Sequence, residues 1–248
     1  MSQTDTYRKD NEIRSRRKGK SHMEVVYMLT DNLHPYLLPS IMSLLDHNKV
    51  DRIWIVTDKP FKYELPEQCK VIYADPRDYL AEGGPNWSSV WTPFAMLRVA
   101  TAKIIPSDKV LQLDVDTIIC DSIQGLWDTD IDDYHVAVVP EMKLQPKPFG
   151  EEYYNMGVAL WNLKKLRKER IDDRMIDMLN TTPLPFPDQD AMNLICTRKE
   201  LNRRYNEMTT TITTDKPYII HYAGYNPWWT VGVPRGEYYQ RYKQYERF

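Results

Sequence analysis

The sequence predicts an α/β protein: a single domain with a central, mostly parallel sheet and helices on its faces. Apolar runs of strand length recur along the chain, and segments with helical spacing of apolar residues fall between them. With 248 residues, 42% hydrophobic and 27% charged, the chain has ordinary globular composition and enough length for a large core. Nine glycines against 17 prolines, and no internal repeat, exclude collagen-like and Gly-rich linker classes.

The elements follow in order. "MEVVYML" (23–29) is a strand, stopped by the turn signal "TDN" (30–32). Leu37, Ile41, Leu44 and Leu45 then fall on one helical face, with Pro39 expected in the first turn of that helix. "RIWIVTD" (52–58) and "KVIYAD" (70–75) are β-branched strands, and strand–helix–strand–strand order favours parallel pairing. "EGGPN" (82–86) is a loop, 93–105 a helix and "VLQL" (110–113) the next strand. A strand at 135–140 leads into a Pro-containing surface loop at 141–152, long enough to be functional. "MGVALWN" (156–162) is a strand, 163–180 one helix with a charged outer face, and 188–196 a helix with an acidic start. A late strand and turn occupy 217–224. The folded domain is expected to span 23–248 and to end in a Tyr-rich helix at about 236–248, with Tyr238, Tyr242 and Tyr245 on one packed face.

The formal net charge is −2, but residues 1–22 carry seven Lys/Arg and three Asp/Glu, which leaves the remainder at −6. So acidic a body does not suit duplex nucleic acid, whose binding rests on phosphate neutralisation. Residues 1–22 are expected to form a disordered basic arm; a membrane-surface or nucleic-acid anchor is the alternative. Cys69, Cys120 and Cys196 are far apart and form no C-x-x-C, which argues for a reducing compartment and against a disulfide framework or zinc knuckle. No stretch approaches the roughly 18–20 apolar residues of a membrane span. The polar start lacks the apolar core of a secretion signal. A cytoplasmic location is expected, with peripheral membrane contact through the arm as the variant reading.

The segment "VLQLDVDTII" (110–119) places two carboxylates directly after a core strand. If the strand continues, Gln112, Asp114 and Asp116 share a face while Leu111, Leu113 and Val115 point into the core, and the two acids lie roughly 7 Å apart at Cα. Two acids at the carboxyl end of a strand repel each other unless a divalent cation lies between them, and ligands of open α/β sheets bind at that end. A metal carrying a phosphate ligand is therefore expected. A bare D-x-D recurs by chance: "DTDIDD" (128–133) holds further copies, lacks the preceding strand and reads as an exposed acidic turn.

With this segment the chain resembles retaining glycosyltransferases of the GT-A type, and most of all glycosyltransferase family 8, which includes glycogenin and bacterial lipooligosaccharide galactosyltransferases. "YYNMGVALWNLKKLR" (153–167) resembles the family's F-N-x-G-V block, "DQDAMN" (188–193) its D-Q-D-x-x-N, and "HYAGYNPWW" (221–229) its H-Y-x-G…P-W. "VVYMLTDN…Y" (25–36) resembles its first strand and nucleotide loop. Five blocks in the family's order cover nearly all of 23–229. The resemblance implies a Rossmann-like GT-A domain in which Asp114, Asp116 and His221 hold Mn²⁺ or Mg²⁺ against the donor diphosphate. A set of two carboxylates and an imidazole suits Mn²⁺. It also implies that Leu29, Thr30, Asp31, Arg98, Asp114, Val115, Asp116, Gly224 and Asn226 bind the nucleotide-sugar. Asn155 and Asp188 match positions that bond donor-sugar hydroxyls, and Gln189 lies near the anomeric carbon with Asp190 beside it.

The implied activity is transfer of glucose or galactose from UDP-glucose or UDP-galactose to an acceptor hydroxyl on a glycan, lipid-linked sugar or protein, with retention. A front-face course is expected, since an amide such as Gln189 is a poor nucleophile; a covalent intermediate on Asp190 is the competing course. The chain departs from the family at three places. Asn226 stands where many relatives have a diphosphate-binding Lys, and Arg235 is the candidate substitute. Arg98 falls two residues later than the usual basic residue, on a different face of a regular helix. Thr30 stands where many members have Asp. The missing Lys leaves a non-catalytic sugar-nucleotide binder as the alternative function. A nucleotidyltransferase would be expected to have a Gly-rich basic loop after the first strand, and "LTDNLHPYL" has neither feature.

Overall fold

A computed structural model describes residues 22–142, 152–224 and 227–248. Apart from His22, the basic arm lies outside these residues; so do 143–151 of the long loop, and Asn226. β1 (Glu24–Leu29) leads through a 3-10 turn into α1 (His34–His47), followed by β2 (Arg52–Thr57) and β3 (Cys69–Tyr73). Two short helices, α2 (Pro93–Met96) and α3 (Thr101–Ile104), precede β4 (Val110–Leu113) and β5 (Thr117–Ile119). α4 (Gln124–Trp127), β6 (Val136–Pro140) and β7 (Tyr154–Trp161) come next, then α5 (Leu163–Glu169), α6 (Ile171–Thr181) and α7 (Pro187–Ile195). β8 (Arg198–Glu200), β9 (Glu207–Met208), β10 (Ile219–His221) and α8 (Gly236–Tyr242) complete the described chain.

Seven strands form the main sheet in the order β3-β2-β1-β4-β7-β6-β8. β7 alone runs against the rest, so the expected mostly parallel sheet is present. Alternation along the strands feeds two cores. Val25, Tyr27, Ile53, Ile55, Leu111 and Leu113 pack under α1, whose Leu37, Ile41 and Leu44 supply the opposing stripe. Val26, Val56, Val110, Ala159 and Trp161 face the other way, onto Phe94, Leu97, Met175 and Met192 of the opposite helical layer. β5, β10 and β9 form a second, three-stranded sheet at one end, so the late strand expected at 217–224 is real but lies outside the main sheet.

Several expectations are corrected. Pro39 is inside α1, not in its first turn, which Pro35 occupies. Pro39 cannot donate to the Pro35 carbonyl one turn back; the Arg247 N–H bonds that carbonyl instead, at 3.0 Å, and ties the C-terminus to α1. The single helix expected at 163–180 is two, broken at Arg170, which is left-handed with φ 54°. Buried Leu166 and Ile171 are five positions apart, off one helical face; the break resets the phase so that both α5 and α6 bury their apolar residues. The helix expected at 93–105 is likewise interrupted, by a 3-10 segment at Leu97–Ala100. The C-terminal helix stops at Tyr242 and continues as a 3-10 turn. Tyr238 and Tyr242 pack as expected, but the anchor is Tyr239, fully buried edge-on against Tyr222. Among the described residues, no helix is long and apolar enough to cross a membrane.

Candidate active site

The acid pair sits where β4 ends. The chain does not continue as a strand: Asp114–Asp116 is a turn that carries it from the main sheet to β5 in the second sheet. The shared-face argument is therefore corrected. Gln112 is buried on the far side, where it donates to the Met156 carbonyl and accepts from the Trp161 indole. The aspartates converge because the turn folds them together. The turn is held by Thr117 Oγ1 donating to the Asp114 carbonyl (2.7 Å), Asp114 N to Gly157 O (2.8 Å) and Tyr222 N to Asp116 O (2.9 Å).

His221, at the end of β10, pairs with Thr117 across the second sheet and so meets the turn. One ligand atom each from Asp114, Asp116 and His221 lies within 4.8 Å of the others, the only such trio of His, Cys, Asp or Glu among the described residues. His221 Nε2 is 3.3 Å from Asp116 Oδ1 and 3.8 Å from Asp114 Oδ2. His221 Nδ1 is engaged on the other side by Asn206 Oδ1 at 2.9 Å. The donor set of two carboxylates and one inward-facing imidazole nitrogen fits a divalent cation, and these three residues would hold it.

Burial would push the His221 pKa down; Asp116 first, then Asp114 and Glu141, outweigh it and hold it above the ordinary value. Below that raised pKa the metal-free ring carries a proton on each nitrogen, and a cation must displace the one on Nε2. Mn²⁺ affinity is expected to rise with pH through that raised pKa, with about one proton released per ion below it. Calorimetric titration at pH 6 in two buffers of different ionisation heat checks this; identical heats would contradict it.

Asp114, Asp116, Arg98, Asn155, Gln189, His221 and Gly224 line one cleft of about 410 Å³. Its floor is the N-terminal end of β7, beside the carboxyl end of β4, where the β6–β7 register jumps and Asn155 stands opposite Val139. Arg98 enters the cleft from the second position of the 3-10 segment Leu97–Ala100. Its guanidinium bonds both oxygens of Asp114, at 2.7 and 3.0 Å, and pairs with Asp188 in the first turn of α7. Burial works against the Arg98 charge, but Asp114 and Asp188 keep it firmly protonated.

The other expected residues are placed as follows. Gln189 Oε1 accepts from Met156 N at 3.0 Å, which presents the amide to the cleft. Asp190 lies beneath, wholly buried, with one oxygen accepting from the Tyr153 hydroxyl and the other from Phe186 N at 2.8 Å. Leu29 is buried at the end of β1. Thr30 and Asp31 follow it in the loop, where Asp31 pairs with Lys59 at 2.7 Å, and Val115 is half-buried in the acid turn. Arg235 does not line the cleft; it donates to the Thr214 carbonyl.

Trp91 also lines the cleft, together with Glu141, Phe186, Met208 and Thr210, which were not expected there as individual residues. Glu141 carried the same signal as Asp114: an acid immediately after a buried apolar strand. Thr210 contributes a buried hydroxyl with no partner among the described residues.

The family model described as glycosyl transferase family 8 matches residues 24–231. A putative glycosyltransferase of Haemophilus influenzae is 25% identical over 84% of this chain and 73% of its own length. A lipopolysaccharide 1,2-glucosyltransferase of Escherichia coli is 25% identical over 76% of this chain and 68% of its own. The crystal structure of the galactosyltransferase LgtC with donor and acceptor sugar analogs superposes with a TM-score of 0.73. It is 22% identical and covers 90% of this chain and 95% of that one.

Proposed function

The chain belongs to glycosyl transferase family 8, and from that membership we propose that it moves glucose or galactose from UDP-glucose or UDP-galactose to an acceptor hydroxyl, with retention and with a divalent cation, Mn²⁺ before Mg²⁺. The observation that carries this is the convergence of Asp114, Asp116 and His221 in one cleft with Arg98, Asn155 and Gln189.

Asp114, Asp116 and His221 would hold the cation, which would supply Lewis-acid stabilisation of the diphosphate leaving group in place of a proton donor. Asn155, through the amide hydrogen not given to Glu141, and the Arg98–Asp188 pair orient the donor sugar, and the loop at Leu29, Thr30 and Asp31 holds the nucleoside. Gln189 faces the anomeric carbon with an amide that stabilises developing positive charge but does not attack it. Asp190 has both oxygens committed beneath the cleft, which favours the front-face course over a covalent intermediate. In that course the bond from the anomeric carbon to the diphosphate breaks as the bond to the acceptor oxygen forms, and the acceptor proton passes to a diphosphate oxygen. Mass spectrometry during turnover is expected to find no glycosylated Asp190; an adduct there would reverse this choice.

The acceptor site lies where Trp91 meets Phe186 at the cleft rim, with ring centroids 5.9 Å apart. Trp91 is 39% exposed, fixed by its indole N–H on the Pro185 carbonyl, and offers an apolar face to a sugar ring. A glycan acceptor is therefore the favoured class. Trp91→Ala should raise the acceptor KM roughly tenfold, equivalent to about 1.4 kcal/mol, and leave donor hydrolysis unchanged; an unchanged KM would remove Trp91 from the site.

The function itself is tested by UDP release from UDP-glucose and UDP-galactose with Mn²⁺ and with EDTA. Release with one donor, lost in EDTA, is the expected result. Donor binding without release, under any acceptor, would leave a non-catalytic binder.

A further inference from the structure

His221 is not simply packed beside the acids. A chain of hydrogen bonds with only one consistent direction holds it. The Gly157 N–H can only donate, and it donates to Asn155 Oδ1 at 2.9 Å. Asn155 Nδ2 must then point the other way, where it donates to the Glu141 carboxylate at 2.9 Å. Asn155 Oδ1 also accepts from Asn206 Nδ2 at 2.8 Å, and that bond fixes the Asn206 amide in turn. Asn206 Oδ1 is left facing His221 Nδ1 at 2.9 Å. An amide oxygen only accepts, so Nδ1 carries the proton and Nε2 faces Asp114 and Asp116. All four side chains are buried, Asn206 completely.

We propose that Asn206 is the positioning residue of the metal centre: it fixes the tautomer and ring orientation of His221, so that the neutral imidazole presents the Nε2 lone pair to the cation. The inference rests on the reading of Asp114, Asp116 and His221 as a cation site. Asn206 ends the 3-10 turn Arg203–Asn206, directly before β9, and β9 pairs Met208 with His221. The strand pairing therefore sets the spacing from amide to imidazole. Without that acceptor the ring is free to turn or to hold its proton on Nε2, and either state withholds the ligand atom.

The test uses the full chain and Mn²⁺ alone, with binding followed by the electron paramagnetic resonance of the free ion at pH 8. Asn206→Leu, of similar volume but without an acceptor, is expected to weaken binding about 10–100-fold. Asn206→Asp keeps an acceptor at Nδ1 and should bind Mn²⁺ much as the wild type does. Histidine ¹⁵N spectra of the metal-free wild type, taken at a pH where the ring is neutral, should show Nδ1 protonated. In Asn206→Leu the proton should move toward Nε2, a change that a merely structural role would not produce.

His221→Ala separates the two levels of inference. If it binds Mn²⁺ as tightly as wild type, the cation reading itself falls. If it weakens binding while Asn206→Leu does not, the positioning role alone is overturned. A wild-type ring protonated on Nε2 overturns it as well, and that measurement decides the matter even if Asn206→Leu does not fold.

Discussion

Gly157→Ala is expected to remove the metal centre while leaving the sheet in place. A Cβ at this position would lie 2.1 Å from Cε1 of His221, 2.7 Å from Nδ1 and 2.8 Å from Nε2. These are contacts with the middle of a buried ring, not with a flexible tip, so either the ring or the strand must move. Gly157 is not left-handed; what its missing side chain supplies is space for the imidazole. The glycine of "YYNMGVALW" thus has a physical reason: β7 must pass directly under the metal-facing histidine. The methyl group should cost about 1–3 kcal/mol of stability by overpacking and weaken Mn²⁺ binding by about 10–100-fold, the loss expected when a ligand is turned out of its orientation. Thermal unfolding and metal titration check both. The double variant Gly157→Ala, His221→Ala supplies the control, because with the ring gone the methyl has room and the two costs should not add. Wild-type metal affinity in Gly157→Ala would contradict the packing argument.

Arg98→Ala should have the largest effect on stability. Arg98 is the cation between Asp114 and Asp188, and Asp188 is buried. Removing the guanidinium strands Asp188 without a partner, a change that typically costs about 3–5 kcal/mol, or on the order of 10 °C in Tm for a chain of this size. The pH dependence follows from the Asp188 carboxyl. Burial raises its pKa from the ordinary 3.8, Arg98 opposes that, and Asp114 adds to it. Without Arg98 the pKa climbs further, so the folded state binds the proton more tightly than the unfolded chain does. The variant's deficit should grow as pH rises from the wild type's raised value through the variant's still higher one, and should shrink in acid, where Asp188 is neutral in both. Arg98→Lys keeps the charge but cannot fork between two carboxylates, and it should recover only part of the loss. Urea unfolding between pH 4 and 8 measures this; a deficit that does not change with pH would assign Arg98 a packing role only.

What could be read from the sequence were the residues whose signal is local. The α/β class followed from apolar runs, and the acid pair stood out because it ends one. The pair does not owe its geometry to a strand, however. Strand periodicity put Asp114 and Asp116 on a common face, whereas a turn into a second sheet brings them together. That sheet was not legible, because β5 and β9 are only three and two residues long. The family resemblance places Arg98 at the donor site while a regular helix turns it to another face; a 3-10 segment interrupts that helix, and Arg98 does line the cleft. Glu141 carried a local signal that was absorbed into its loop. Asn206 carried none, because its meaning comes from Asn155 and His221, 51 and 15 residues away, meeting it in space. Residues that line the cleft were thus legible where a family block contained them, and the groups that hold them in position were not.

Calorimetric titration of Mn²⁺ into the full chain, with and without UDP, for wild type and for Asp116→Asn, is the most direct test of the central claim. The account predicts an ion bound at a single site, tightened by UDP, with both the binding and the coupling to UDP lost in Asp116→Asn. Unchanged metal binding in that variant, or UDP binding indifferent to Mn²⁺ in the wild type, would contradict it.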